Sequence, residues 1–177
     1  SVNMSLGFVE STQMHLEDIN NIIQDAKEKA TQAADESLNE ENRLAIAKEI
    51  SGLLIQLKSI ANGNFDGDYL FNGNNVNEMP YELEINPEDS EDIFGINFMP
   101  NSSEVEEITK KFGEHLDIQI NISGGDIDKI NDVFNSLLSL KTGLESNDTV
   151  LISQNIDTLN DNSTEILTVT DGSVPLH

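Results

Sequence analysis

Asn62, Asn64, Asp66 and Asp68 alternate along one stretch of the chain, with Gly67 between the last two, in the order that opens an EF-hand calcium loop. Such a loop closes on a bidentate carboxylate at its twelfth position, and that position here is Gly73. Without that ligand the stretch reads as a turn, with Asp66 and Asn72 suited to its backbone geometry. His15, His115 and His177 fall in a helix, an insertion and a tail, with no H-E-x-x-H spacing and no cysteine to assist them. His15 is expected on a helix surface. Glu40-Glu41, Glu88 to Asp92 and Glu104 to Glu107 bring carboxyls together. Acid/base catalysis needs one carboxyl shifted by burial, so these runs read as solvated faces. Gly124-Gly125 lacks the lysine and spacing of a phosphate loop and reads as a turn. No catalytic residue, cofactor or metal is expected, and the chain does not read as an enzyme.

The bulk properties agree. The chain has 177 residues, 37% of them hydrophobic, enough for one domain or one domain with a modest insertion. Its formal charge of -24 argues against nucleic acid and anionic membrane surfaces, where binding depends on clustered Lys and Arg. The absence of cysteine excludes disulfides and thiol chemistry. No apolar run approaches the roughly 20 residues of a membrane span. No basic start followed by an apolar run is visible, so export would need another address.

These residues sit on helices of a recognisable kind. Val2, Ser5, Val9, Thr12, Leu16, Ile19, Ile23, Ala26, Ala30 and Ala33 keep steps of three and four, predicting a rod of about 50 Å. Its seam narrows to alanine, which lets another backbone approach. A second helix carries Arg43, Ile46, Ile50, Leu53, Leu57 and Ile60 on its seam, leaving Glu49, Gln56 and Lys58 for solvent or a partner. Ser37 and Glu40 have capping-box spacing at its start. Beyond Asn62-Gly63, Asp66-Gly67 and Asn72-Gly73 suit positive-φ turns, and Tyr69-Leu70-Phe71 suits a strand.

From Met79 to Ser123 short alternating stretches replace the helical pattern. Strands are expected at Tyr81 to Ile85, Asp92 to Met99 and Leu116 to Ile122, with a short helix from Ser103 to Phe112. Helical spacing returns at Ile127, Ile130, Phe134, Leu137 and Leu144, breaks at Asn147-Asp148, and resumes to Val169 with Asp148 as N-cap. The expected fold is mainly α: an elongated antiparallel helical bundle over residues 1–78 and 124–172 with a β-hairpin near 63–78. A small α/β insertion spans 79–123, and 173–177 form a tail. Both ends look cut, as in the middle of a longer protein.

Glu40 to Ile50 with Leu57 and Ile60-Ala61-Asn62 resembles the second domain-one helix of the bacterial flagellin superfamily. Gly67-Asp68-Tyr69-Leu70-Phe71-Asn72-Gly73 is similar to the Gly-x-Tyr-Ile-Phe-x-Gly signature of one branch, the hook-filament junction proteins called hook-associated protein 3. Flagellin itself usually carries a shorter Thr-Gln-Phe-Asn-Gly-like stretch there. Ile23 to Ala34 looks like flagellin's Gln-Arg-x-Arg-Glu-Leu-Ala-x-Gln-Ala-Ala segment, with Gln24, Lys27, Glu28, Gln32, Ala33 and Ala34 matching. Asp25 and Lys29 depart from it. Val133-Phe134, Leu137-Leu138, Asn155-Ile156 and Leu159 are similar to the family's carboxyl-terminal helices.

The resemblance implies a structural adaptor of the flagellum, extracellular and exported by the flagellar secretion system without a cleaved signal peptide. Its implied partners are hook-associated protein 1, flagellin, further copies of itself in a ring, and an export chaperone that grips a terminal segment. The assembly interface it implies includes Gln24, Lys27, Glu28, Gln32, Arg43, Glu49, Tyr69 and Phe71. A flagellin filament subunit is the alternative, and an enzyme carried by the acidic insertion a third. The family's terminal segments drive assembly, so this fragment is expected to stay monomeric.

Overall fold

The computed structural model describes residues 2–73, 77–99 and 124–173. Four helices are present: α1 Val2–Ala33, α2 Glu40–Ala61, α3 Gly124–Glu145 and α4 Thr149–Ser173. Each runs antiparallel to the one before it, and α4 packs back along α1, closing an up-down-up-down bundle. The three-four spacing explains this arrangement. Leu16, Ile19, Ile23, Ala26, Ala30 and Ala33 of α1 are fully buried, as are Ile50, Leu54 and Leu57 of α2 and Ile130, Phe134 and Leu137 of α3. A buried side chain of this size contributes roughly 1.5–3 kcal/mol, so the stripes outweigh any helix propensity.

The start of α2 differs from expectation. Its N-cap is Asn39, whose Oδ1 accepts from Asn42 N at 2.8 Å while Asn42 Oδ1 accepts from Asn39 N at 3.0 Å. Ser37 lies too early to cap a helix beginning at Glu40; its amide donates to Asp35 Oδ1 at 2.9 Å. That bond is the main reason the Asp35 carboxyl is held below its ordinary value, with Arg43 adding a smaller pull. Gly124 and Gly125, expected in a turn, open α3 instead. First-turn amides have no helical partner, so glycine disturbs little there. At its far end α3 closes on Asn147, at φ 55°, with Asp148 N bonded to Gly143 O at 2.8 Å and Asn147 N to Leu144 O at 3.3 Å. Asp148 then caps α4 through Leu151 N at 3.0 Å, as its position suggested. The last helix continues past Val169 through Asp171-Gly172 to Ser173, because its backbone ladder does not need an apolar pattern to persist.

Of two antiparallel hairpins, the first lies at the end of the bundle opposite the α1–α2 loop, and the second starts there beside Asn62 and runs along α2 and α3 toward Lys48 and Lys141. β1 Asn64–Phe65 pairs with β2 Asp68–Tyr69 around Asp66-Gly67, whose φ values of 54° and 88° form the expected turn. Only Tyr69 of the expected Tyr69-Leu70-Phe71 strand belongs to it. Leu70 and Phe71 are both buried, at 2% and 0% exposure, which the alternation of a half-buried strand does not allow. β3 Tyr81–Asn86 pairs with β4 Asp89–Phe98. Tyr81, Leu83 and Ile93 point into the bundle, and the Tyr81 ring stacks on Phe134 of α3 at 5.0 Å between centroids. The expected helix at Ser103 to Phe112 and strand at Leu116 to Ile122 lie outside the described residues, with His115, His177 and Glu104 to Glu107.

Candidate assembly surface

The residues expected at an interface divide sharply by position. Gln24, Glu28 and Gln32 are exposed, one turn apart on α1, and form a polar stripe. Gln24 is also tied to the bundle: its Nε2 donates to Ser163 Oγ at 3.0 Å, and Ser163 Oγ donates to Asn20 Oδ1 at 2.7 Å. Lys27 is half-buried. Glu49 is exposed on α2 and meets Lys29 Nζ at 2.9 Å, linking α2 to α1. Tyr69 is half-buried on β2.

Arg43 and Phe71 stand elsewhere, in the interior. Arg43 is 4% exposed, and its guanidinium donates from Nε to Ala33 O at 3.0 Å, from Nη2 to Asp35 O at 2.9 Å and from Nη1 to Asn147 Oδ1 at 2.8 Å. It therefore caps the carboxyl end of α1, where a cation is favoured, and binds the turns at one end of the bundle to each other. Phe71 is fully buried with the His15 ring edge-on at 6.5 Å. His15 is accordingly not the helix-surface residue expected: it is half-buried, packs on Gly63, and its Nδ1 lies 2.7 Å from Ser11 O.

Two asparagines of the loop that mimics a calcium site bind backbone instead. Asn62 Nδ2 donates to Tyr81 O at 2.9 Å, and Asn62 Oδ1 accepts from Tyr81 N at 2.8 Å, so one amide copies a pair of ladder bonds and fixes the start of β3. Asn72 is 2% exposed and donates to Glu78 O. Asn62 was legible only as a helix stop, since its partner lies 19 residues on. On the opposite side of the joint, Phe65 of β1 seats on Gly7 of α1, where a Cβ would stand 2.5 Å from Phe65 Cζ. The first hairpin is thus packed on the amino-terminal part of α1, the same helix that carries the stripe further along.

Polar groups also lie inside the α3–α4 seam. Ser136 Oγ meets Asn162 Oδ1 at 2.6 Å, and Asn155 Nδ2 meets Ser139 Oγ at 3.0 Å, seven residues along α4. Buried amides at heptad spacing select one register over its neighbours. Tyr81 OH is buried without a hydrogen-bond partner among the described residues. Burial, and secondarily the charge of Asp128, push its phenol well above the ordinary tyrosine range. Asp132 is raised for the same two reasons in the same order. Among the described residues no group of three His, Asp or Glu side chains is placed to hold a metal ion, and no helix is long and apolar enough to cross a membrane.

A four-helix bundle with two hairpins, carrying a polar stripe on a long first helix, defines a helical-bundle protein. Residues 2–76 match the family model of the bacterial flagellin N-terminal helical region, so this part of the chain is similar to that region. The matched stretch takes in α1, α2 and the β1–β2 hairpin. No curated protein matches the chain.

Proposed function

We propose that the chain is a structural, non-enzymatic subunit of the bacterial flagellum and serves as an adaptor at the hook-filament junction, on which flagellin assembles. The observation that carries this reading is Gly67-Asp68-Tyr69-Leu70-Phe71-Asn72-Gly73, lying inside the matched flagellin region. It forms a joint in which Phe71 is locked into the core and Tyr69 lies at the edge, giving a hairpin of fixed direction beside α1. Hook-associated protein 1 below and flagellin above would be its axial neighbours, with further copies beside it in a ring. The stripe of Gln24, Glu28 and Gln32, together with Lys27 and Glu49, would meet lateral neighbours. Such a subunit acts outside the cell, delivered by the flagellar export apparatus with a chaperone holding a terminal segment.

A filament subunit is the second reading, because the match to the flagellin N-terminal region is expected of both. A filament packs many copies side by side, and -24 per copy opposes this, although physiological salt screens charges beyond about 8 Å. Deleting the gene distinguishes them. Cells lacking an adaptor keep hooks and shed flagellin into the medium, whereas a filament subunit would be the dominant band of sheared flagella and a junction protein a trace one. Normal filaments in the deletion strain would defeat the adaptor reading. The purified chain should sediment as a monomer; polymer formed by it alone would favour the filament-subunit reading.

A further inference from the structure

Between Asn77 and Met99 the chain has seven acidic residues and no basic one. Two of the acids anchor the hairpin: Glu91 reaches Lys48 of α2 at 4.0 Å and Asp92 reaches Lys141 of α3 at 3.9 Å. Glu82 and Glu84 alternate with buried Tyr81 and Leu83, so they face away from the bundle, and neither enters an ion pair among the described residues. The register breaks beside them. Glu84 pairs with Gly95 and Ile85 with Ile93, which leaves Phe94 with no opposite residue on β3. Phe94 is 62% exposed, and neighbouring Ile85 is 37% exposed. A bulge gives up ladder pairing to re-aim a side chain, and here it aims an aromatic ring into water. The bulge seats Ile93 in the core and leaves the Phe94 ring outside it.

From this geometry we infer that Phe94 is the anchor of a docking surface for a partner protein of a different kind, one offering an apolar pocket rimmed by Lys or Arg. An aromatic seated in a pocket supplies affinity, while the surrounding carboxylates select a basic rim and speed encounter. A second copy of the chain is a poor occupant. It has 9 basic against 33 acidic residues, and Lys29, Arg43, Lys48, Lys129 and Lys141 are already engaged internally. The inference stands on this hairpin alone and does not depend on the choice between adaptor and filament subunit.

Photo-crosslinking in the native cell tests it. The full-length protein carries p-benzoylphenylalanine at position 94 in one strain and at exposed Gln56 of α2 in another. The expected result is a crosslink from position 94, absent from position 56, to a protein with a basic surface. It should disappear when Glu82→Lys and Glu84→Lys are combined. With that partner purified, Phe94→Ala should weaken binding about tenfold or more while leaving the circular dichroism and thermal midpoint unchanged. A crosslink to another copy of the chain, a crosslink indifferent to the charge reversal, equal labelling from both positions, or no crosslink at all would each overturn the inference.

Discussion

Nη1 of Arg43 donates to Oδ1 of Asn147 at 2.8 Å, across a separation of 104 residues. The same guanidinium holds Ala33 O and Asp35 O, so the end of α1, the start of α2 and the α3–α4 turn meet on one side chain. No carboxylate pairs with it among the described residues; carbonyl and amide dipoles compensate the buried charge instead.

Replacing Arg43 by alanine strands the buried Ala33 O and cuts the ties to Asp35 O and Asn147 Oδ1, and should cost about 1–3 kcal/mol in urea unfolding. Arg43→Lys should recover only a part, since an ammonium cannot span a planar fork of acceptors. A loss below about 1 kcal/mol for the alanine variant would mean that water satisfies those carbonyls.

The Asn62 amide makes opposite demands on its two ends. Asn62→Asp can still accept from Tyr81 N but cannot donate to Tyr81 O, so the variant should lose about 1–3 kcal/mol. Hydrogen exchange should speed up across β3 and β4 before the helices are affected. Uniform exchange in all elements would show that the hairpin is held by its apolar face alone.

Tyr81 predicts an alkaline weakness. Its folded phenol keeps its proton more tightly than the unfolded one, so above about pH 10 the unfolded state loses protons first and stability falls as pH rises. Tyr81→Phe should remove that component of the slope, and at neutral pH it should leave stability equal or slightly higher, because the hydroxyl has no partner to lose among the described residues. Parallel alkaline curves for the two proteins would contradict this account.

Glu49 should behave in the contrary way to Arg43. Its ion pair with Lys29 joins side chains 53% and 30% exposed, so Glu49→Ala should shift stability by less than about 0.5 kcal/mol. With stability unchanged, a marked defect in incorporation into the proposed flagellar assembly would report a contact made by Glu49 after assembly.

The sequence by itself determined the elements whose signals are local. Steps of three and four put the buried stripe on each helix, Asp66-Gly67 required a positive-φ turn, and alternation marked Tyr81 to Ile85 as a strand. Asp148 was legible as a cap because its acceptor serves an amide three residues on. Asn39 was not, since Ser37 and Glu40 offer the same spacing and only the first helical residue decides between them. Tertiary structure alone decided which polar residues face inward. Arg43 lies on an apolar seam, and its burial depends on acceptors 8, 10 and 104 residues away. Phe71, His15 and Asn62 found partners by the same long-range route. Phe94 came to the surface through a register break between two strands. Periodicity reports how one element divides its faces; whether a polar or aromatic side chain is spent inside or left for a partner is set by what the other elements bring to it.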